Sequence, residues 1–468
     1  MTTASDPTQT GLAGDGDGHP SETSGITGMW PLFVGLGLLM IGNGLNGAVI
    51  GVRSASEGFG LTITGVIMAG FFAGFLLAPT VVFRLLRTVG HVRVFAGLAS
   101  TASSAVLVHA IAVFPASWTA MRFIFGFCVA GLYIVIESWL AEMTTAANRG
   151  RVMAIYMIVW LAGLGAGQYL IALGDPTTFR LFIVSSVLVS MSLVPITLKS
   201  STAPPSESAE KVSVLELIRI VPTGVIGSFM GGATAGILLG LGAVYATAVG
   251  LSLDRTGTFL VAPMIGAMIL QWPIGRLSDR VSRRLVIFFV ALIGLATSGS
   301  LALIPSQSVL VLVLMAALGG TLFPLYSLIV SYTIDWVPPG KVSGAAAKLI
   351  GINGSGAFLG PLAAAPLMSV YGPSWFFWCM AVAFGVVVAY LAWRLVVKEA
   401  MPRELQKQFV PFPARAGALA MSMTVESVRQ ATKIAAGRGI RIRRHMAKDT
   451  SPASDGGDIG SEVRPPRR

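Results

Sequence analysis

The sequence predicts an all-α membrane protein: twelve transmembrane helices in two parallel six-helix repeats, with both termini cytoplasmic. Three observations carry this prediction. The 468-residue chain is 54% hydrophobic and only 12% charged, which supplies apolar material for twelve crossings at ~20 residues each. Charged residues bound the apolar runs sharply, and Lys and Arg gather in alternate connections. Segments about 190 positions apart also repeat one another. A mean hydropathy of +0.76 excludes a soluble enzyme or a secreted domain. Long unbroken apolar runs exclude an outer-membrane barrel, whose alternating strands give weaker ones. Two cysteines exclude a disulfide framework or a cysteine-rich metal site.

Seven runs free of charge each suit one helix: Met29 to Val52, Gly58 to Phe83, Val94 to Met121, Val152 to Gly174, Leu181 to Leu198, Ile220 to Leu253 and Thr256 to Gly275. Leu285 to Ile334, at 50 residues, is too long for one crossing and divides at Pro305-Ser306-Gln307. Leu349 to Trp393, at 45, divides at Tyr371-Gly372-Pro373. The remaining span, 117–142, is interrupted by Arg122 and Glu137. The total is twelve.

Lys and Arg set the expected orientation. With a cytoplasmic amino terminus, the inner connections hold 14 of the 33, the outer connections and their span edges hold 4, and the other 15 lie from Arg394 onward. That asymmetry follows the positive-inside rule. Residues 1–28 are an acidic, Gly/Ser/Thr-rich tail with a disordered composition. The six-helix bundles fall at 29–198 and 218–398, joined by a cytoplasmic linker at 199–217. Residues 399–468 form a basic tail whose cluster Arg438, Arg441, Arg443, Arg444 and Lys448 suits anionic headgroups. Nucleic acid is not an expected partner, because no stacking aromatics accompany these arginines.

Three offsets support duplication. Arg84-Leu-Leu-Arg87 realigns with Arg276-Leu-Ser-Asp279 at 192 positions, and Leu132-Tyr133 with Leu325-Tyr326 at 193, which also sets Glu142 on Asp335. Gly150-Arg-Val realigns with Gly340-Lys-Val at 190. Parallel halves related by an axis along the membrane normal suit a carrier with alternating access.

The turn Gly275-Arg276-Leu-Ser-Asp279-Arg280-Val-Ser-Arg283-Arg284 resembles the signature loop of the major facilitator superfamily, Gly-x-x-x-Asp-Arg-x-x-Arg-Arg. The resemblance covers about residues 29–398 and implies a loop that braces the inward gate. The first-half copy departs from it: Arg87 stands where the family has aspartate, leaving Glu142 or no acid to take its place. Arg122-x-x-x-Gly126-x-x-x-Ala130 resembles the family's membrane-embedded arginine motif, for which the family implies a link to proton coupling. Gly74-Phe-Leu-Leu-Ala-Pro79, Val89-Gly-His-Val-Arg-Val-Phe95, the stretch Gly126 to Leu140, Arg149-Gly-Arg-Val and Tyr156-Met-Ile together look like the YcaD-like bacterial branch. Members of that branch are largely without assigned substrates.

The candidate substrate and coupling residues are Asn43, Asn46, Arg122, Tyr133, Glu137, Tyr326 and Asn353. Asn43 and Asn46 share a helix face and could bind substrate or tie span 1 to a neighbour. Arg122 lies near the outer end of span 4, where a charge is costly in lipid, so it faces a cavity or snorkels. Glu137 is fifteen residues on, ~22 Å along the helix and near the same face. The two cannot touch but could line one path. Glu137 is the only acid well inside an apolar run, and a buried carboxyl can load and release a proton at neutral pH. A plain ion pair with Arg151 is the alternative. The gating set is Gly275, Arg276, Asp279, Arg280, Arg283 and Arg284, with Arg87 and Arg151 in the first half. Gly163, Gly165 and Gly167, and Gly351, Gly354, Gly356 and Gly360, are small-residue seams for helix packing.

No phosphate-cradling loop, catalytic triad, metal spacing or cofactor motif is present in the sequence, so neither an enzyme nor a cofactor is expected. The expected activity is secondary-active transport of a small solute by alternating access, coupled to protons, in the inner membrane, by a monomer. Export fits the scarcity of buried charges, and import fits Asn43 and Asn46 as polar recognisers. A membrane scaffold or sensor with a partner-binding tail is an alternative of another class.

Overall fold

The computed structural model describes residues 28–144, 148–197, 213–338 and 341–397, with the side chains of Arg149 and Ser343 excepted. The acidic segment 1–27, linker residues 198–212 and the basic tail from 398 lie outside the described residues. Every element among the described residues is helical. The first half contains α1 (Trp30–Ser56), α2 (Leu61–Val89), α3 (His91–Ile111), α4 (Pro115–Met143), α5 (Arg149–Tyr169) and α6 (Arg180–Thr197, with a turn at Ser192). A 3-10 turn, Leu170–Leu173, extends α5. The second half contains α7 (Pro222–Ala248), α8 (Leu253–Arg280), α9 (Arg283–Leu303), α10 (Leu310–Trp336), α11 (Val342–Tyr371) and α12 (Trp375–Val397).

Eleven of these helices are long and apolar enough to cross a membrane. The twelfth, α11, has 30 residues and so ample length, but five glycines, two prolines, Lys348 and Asn353 keep it less apolar than the rest. A short helix, Val214–Ile220, precedes α7, with Ser213 Oγ accepting from the Glu216 amide. The end of the stretch assigned to the linker is therefore helical, because Val214, Leu217 and Ile218 give it an apolar side that the Pro-Pro-Ser stretch upstream lacks.

Packing repeats between the halves. In the first, α1 packs on α5 and α2 on α4; in the second, α7 packs on α11 and α8 on α10. The halves meet through α2 with α11, its counterpart α5 with α8, and α1 with α7. The ends of α1 and α7 also match. Gly58 and Gly250 both adopt positive φ, 75° and 71°, which glycine alone reaches without strain. Each closes a Schellman turn: Phe59 N donates to Ser54 O and Gly58 N to Ala55 O, as Leu251 N does to Ala246 O and Gly250 N to Thr247 O.

Small residues let helix backbones approach where lipid offers no hydrophobic drive for association. An added Cβ at Gly167 would run into the backbone of Ile41, and one at Gly266 into that of Ala316. Gly356 and Gly360 press on Phe229 and Ala233 of α7 in the same way. Glycines in contact across the two halves gather at the face opposite the arginine-rich turns. Gly51 lies on Ala243, Gly65 on Ala365, and Gly257 on Tyr169 and Ala172. The two bundles are thus shut against each other at that face.

Candidate functional site

The central helices bring Arg122 and Asn46 together. Arg122 Nη1 donates to Asn46 Oδ1 at 3.0 Å, and its guanidinium stands 4.8 Å from the centre of the Phe71 ring. Both side chains are buried. Gly70 has no Cβ to hold α2 away from Thr119 and Arg122, which allows the stacking. A cation held by an amide and an aromatic face needs no snorkelling to water. Beside it, Asn43, Gly47, Phe72, Gln168 and Leu239 of α7 enclose a cavity of about 20 Å³, room for one water-sized molecule. Asn46 Nδ2 and Gln168 Oε1 have no hydrogen-bond partner among the described residues. This leaves a donor and an acceptor close to the seam between the halves.

Glu137 lies further along α4 and is fully buried. Tyr156 on α5 donates its hydroxyl to Glu137 Oε1 at 2.9 Å. Tyr326, on α10 in the other half, is buried and within electrostatic reach of the same carboxylate. Tyr133 donates to Met40 Sδ at 2.9 Å, joining α4 to α1. Both tyrosines sit in mid-helix, away from the headgroup depth where tyrosines anchor helices. Arg151, weighed as a partner of Glu137, is exposed. Asn353 Nδ2 donates to Ser228 O at 3.1 Å and ties α11 to α7.

The signature turn forms a compact brace. Gly275 is buried where α8 ends, and Arg276 stacks 3.9 Å from the centre of the exposed Trp272 ring. Arg283, 1% exposed at its side chain, donates to Asp335 at 2.5 Å and lies 3.6 Å from Asp279. Arg284 is buried and donates to the Arg394 carbonyl at 3.4 Å. Arg280 is exposed, as is Arg87 in the other half. Glu142, the acid available to replace the missing aspartate, is exposed as well. The corresponding contact in the first half is instead a 2.7 Å hydrogen bond between His91 Nε2 and Ser138 Oγ, with Trp139 packed against the imidazole.

The sequence brought forward Arg122, Asn46, Glu137 and Tyr326, and the fold gathers them in two clusters along α4. It did not bring forward Tyr156, Phe71 or Gln168. Nothing in their local sequence marks them as polar partners; helix packing alone supplies that. One signal was available for His91: it stands 192 positions before Arg283, the offset already found at the preceding turn.

A family model described as Major Facilitator Superfamily matches residues 223–445. An uncharacterized MFS-type transporter of Yersinia enterocolitica is 26% identical over 356 residues, covering 75% of this chain and 88% of the relative. A relative named YcaD from Escherichia fergusonii is 26% identical over 352 residues, covering 74% and 90%. An MFS-type transporter from Enterobacter is 29% identical over 361 residues, covering 75% and 92%. Among solved structures, the nucleoside transporter NupG aligns with a TM-score of 0.67 at 13% identity, covering 79% of this chain and 99% of that one. A D-xylose-proton symporter aligns at 0.63 and 13%, covering 81% and 99%. At that identity these two share the fold alone.

Proposed function

We propose that the chain is a carrier of the major facilitator superfamily, whose model matches residues 223–445, and that it works like the YcaD-type transporters it is similar to. It is a secondary-active carrier of a small solute in which two helical halves rock about the central seam, with Glu137 as the proton-coupling carboxylate. All twelve long helices cross the inner membrane, α11 included, and both termini are cytoplasmic. The 14-to-4 division of Lys and Arg between the two faces supports that orientation. The conformation described is then the one closed to the outside.

The observation that carries the proton role is the buried setting of Glu137. It accepts from Tyr156 in its own half and lies within electrostatic reach of Tyr326 of the other. A carboxyl between two moving halves exchanges one set of partners for another as they rock, and its proton affinity changes with them. That makes it a natural link between a proton gradient and the conformational cycle. Arg122, bound to Asn46 beside the small polar cavity, serves as the second coupling and solute-facing group. The brace Asp279–Arg283–Asp335 holds the cytoplasmic ends of the second half during the closed-outside phase.

Export is the direction proposed. Buried charges are scarce along the seam, and Asn46, one of the two asparagines suited to recognising an imported nutrient, already accepts a hydrogen bond from Arg122. The D-xylose-proton symporter of the same fold illustrates that this architecture accommodates proton coupling. The test is transport in proteoliposomes after a pH jump, using a solute found by thermal-shift screening of metabolites and drugs. Wild-type protein should respond to the gradient. Loss of that response in Glu137→Gln, with solute exchange retained, supports the proton role.

A further inference from the structure

A groove of about 640 Å³ runs along the outside of the second half, within the ~300–1,000 Å³ typical of small-molecule sites. Ile226, Phe229 and Met230 of α7, Ile352 of α11 and Val386 of α12 line it. The walls are apolar and only partly covered. Lys348 lines the same groove, six residues from the start of α11 and so ~9 Å in from the basic face. Its side chain is exposed and makes no ion pair among the described residues. Lys341, one heptad earlier, is neutralised by Glu216 at 2.6 Å.

An apolar trough with a cation that is unpaired among the described residues, near headgroup depth, is complementary to an amphiphile with a negative head. We propose that this groove binds an anionic phospholipid of the leaflet at the basic face. One acyl chain lies along Phe229 and Ile352, and the phosphate meets Lys348. Basic pockets between transmembrane helices on the cytoplasmic side recognise lipid headgroups through this combination. The groove also touches the seam between the halves. Leu76 of α2 lines it and lies against Gly354 of α11. The lipid therefore contacts both bundles and favours the arrangement in which α2 and α11 meet here. This site requires only that the chain sits in a bilayer, and it stands whether or not Glu137 carries protons.

The probe is a pair of lipids with equal chains, dioleoylphosphatidylglycerol and dioleoylphosphatidylcholine, added to purified full-length protein in neutral detergent. The thermal midpoint is read for wild type and three variants. Lys348→Gln removes the head contact. Gly351→Leu fills the groove: an added Cβ at Gly351 meets nothing within 4 Å, so the backbone there has open space for a larger residue. Arg93→Gln removes an exposed charge on the same face as a control. Phosphatidylglycerol should raise the wild-type and Arg93→Gln midpoints by roughly 3–6 °C more than phosphatidylcholine does. That difference should vanish in Lys348→Gln and in Gly351→Leu. Equal responses to the two lipids, a selective response that survives either groove substitution, or the same loss in Arg93→Gln overturns the proposal.

Discussion

Arg283 and His91 open the third helix of their respective halves and occupy equivalent places 192 positions apart, yet they brace the turn by different chemistry. Arg283 is buried between two carboxylates, Asp335 at 2.5 Å and Asp279 at 3.6 Å. His91 shares one hydrogen bond with Ser138. Removing one partner of a buried ion pair strands the other charge, at about 3–5 kcal/mol. Arg283→Met should therefore lower the thermal midpoint far more than His91→Ala, which forfeits about 0.5–1.5 kcal/mol. Arg283→Met combined with Asp335→Leu should recover part of the loss. Equal effects of the two single substitutions would show that the halves are braced alike.

Asp279 differs from Asp335 in being partly exposed, 39% against 2% at the side chain. Asp279→Ala should leave folding and solute affinity close to wild type while slowing turnover. Unchanged turnover in proteoliposomes would remove Asp279 from the gate.

The Arg122–Asn46 bond is a charge-assisted contact in a buried site. Asn46→Ala should cost about 1–3 kcal/mol. Arg122→Lys should not restore wild-type stability, because an ammonium lacks the planar guanidinium that both donates to Asn46 and stacks on Phe71. Thermal unfolding of the single and double variants, read as a cycle, checks this: additive losses would mean that the two side chains do not interact.

Glycine positions divide by what surrounds them. Gly266→Val would drive a branched side chain into the Ala316 backbone and should abolish the folded monodisperse protein. Gly299→Ala, in a helix and facing open space, should be neutral or stabilising by about 0.4–1 kcal/mol. Size-exclusion profiles and melting curves separate the two outcomes.

Glu216 and Lys341 tie the short helix before α7 to the start of α11. The hydrogen bond from Lys341 holds the Glu216 carboxyl below its ordinary range, with the Lys341 charge and a hydrogen bond from the Ser213 backbone contributing. A depressed carboxylate contributes stability above its unfolded value and loses it as pH falls through the folded one. The difference in melting midpoint between wild type and Lys341→Gln should therefore be present at neutral pH and shrink as the pH drops below the usual glutamate range. A difference that grows on acidification would assign the pair the wrong sign.

Much of the architecture could be read from the sequence because membrane insertion imposes it. Charges such as Arg84, Arg149 and Arg280 mark the ends of apolar runs, and the 192-residue offset repeats at matching helix ends. The matched positive-φ turns at Gly58 and Gly250 obey the same offset, but glycine is too common here for two of them to stand out. The site was legible only in part. Arg122 and Glu137 are conspicuous as charges among apolar residues, whereas Tyr156 and Phe71 become partners only when α5 and α2 pack on α1 and α4. Glu142 aligns with Asp335 in the repeat but is exposed in the structure. Sequence alignment gives its position in the helix and says nothing of which side chain enters the bundle.

The most direct test of the coupling account is a pH jump on proteoliposomes loaded with a solute identified by screening, comparing wild type with Glu137→Gln. In wild type an imposed gradient should drive net solute movement. In the variant, net movement should become indifferent to the gradient while solute-for-solute exchange continues. Normal gradient-driven transport by Glu137→Gln would contradict the account.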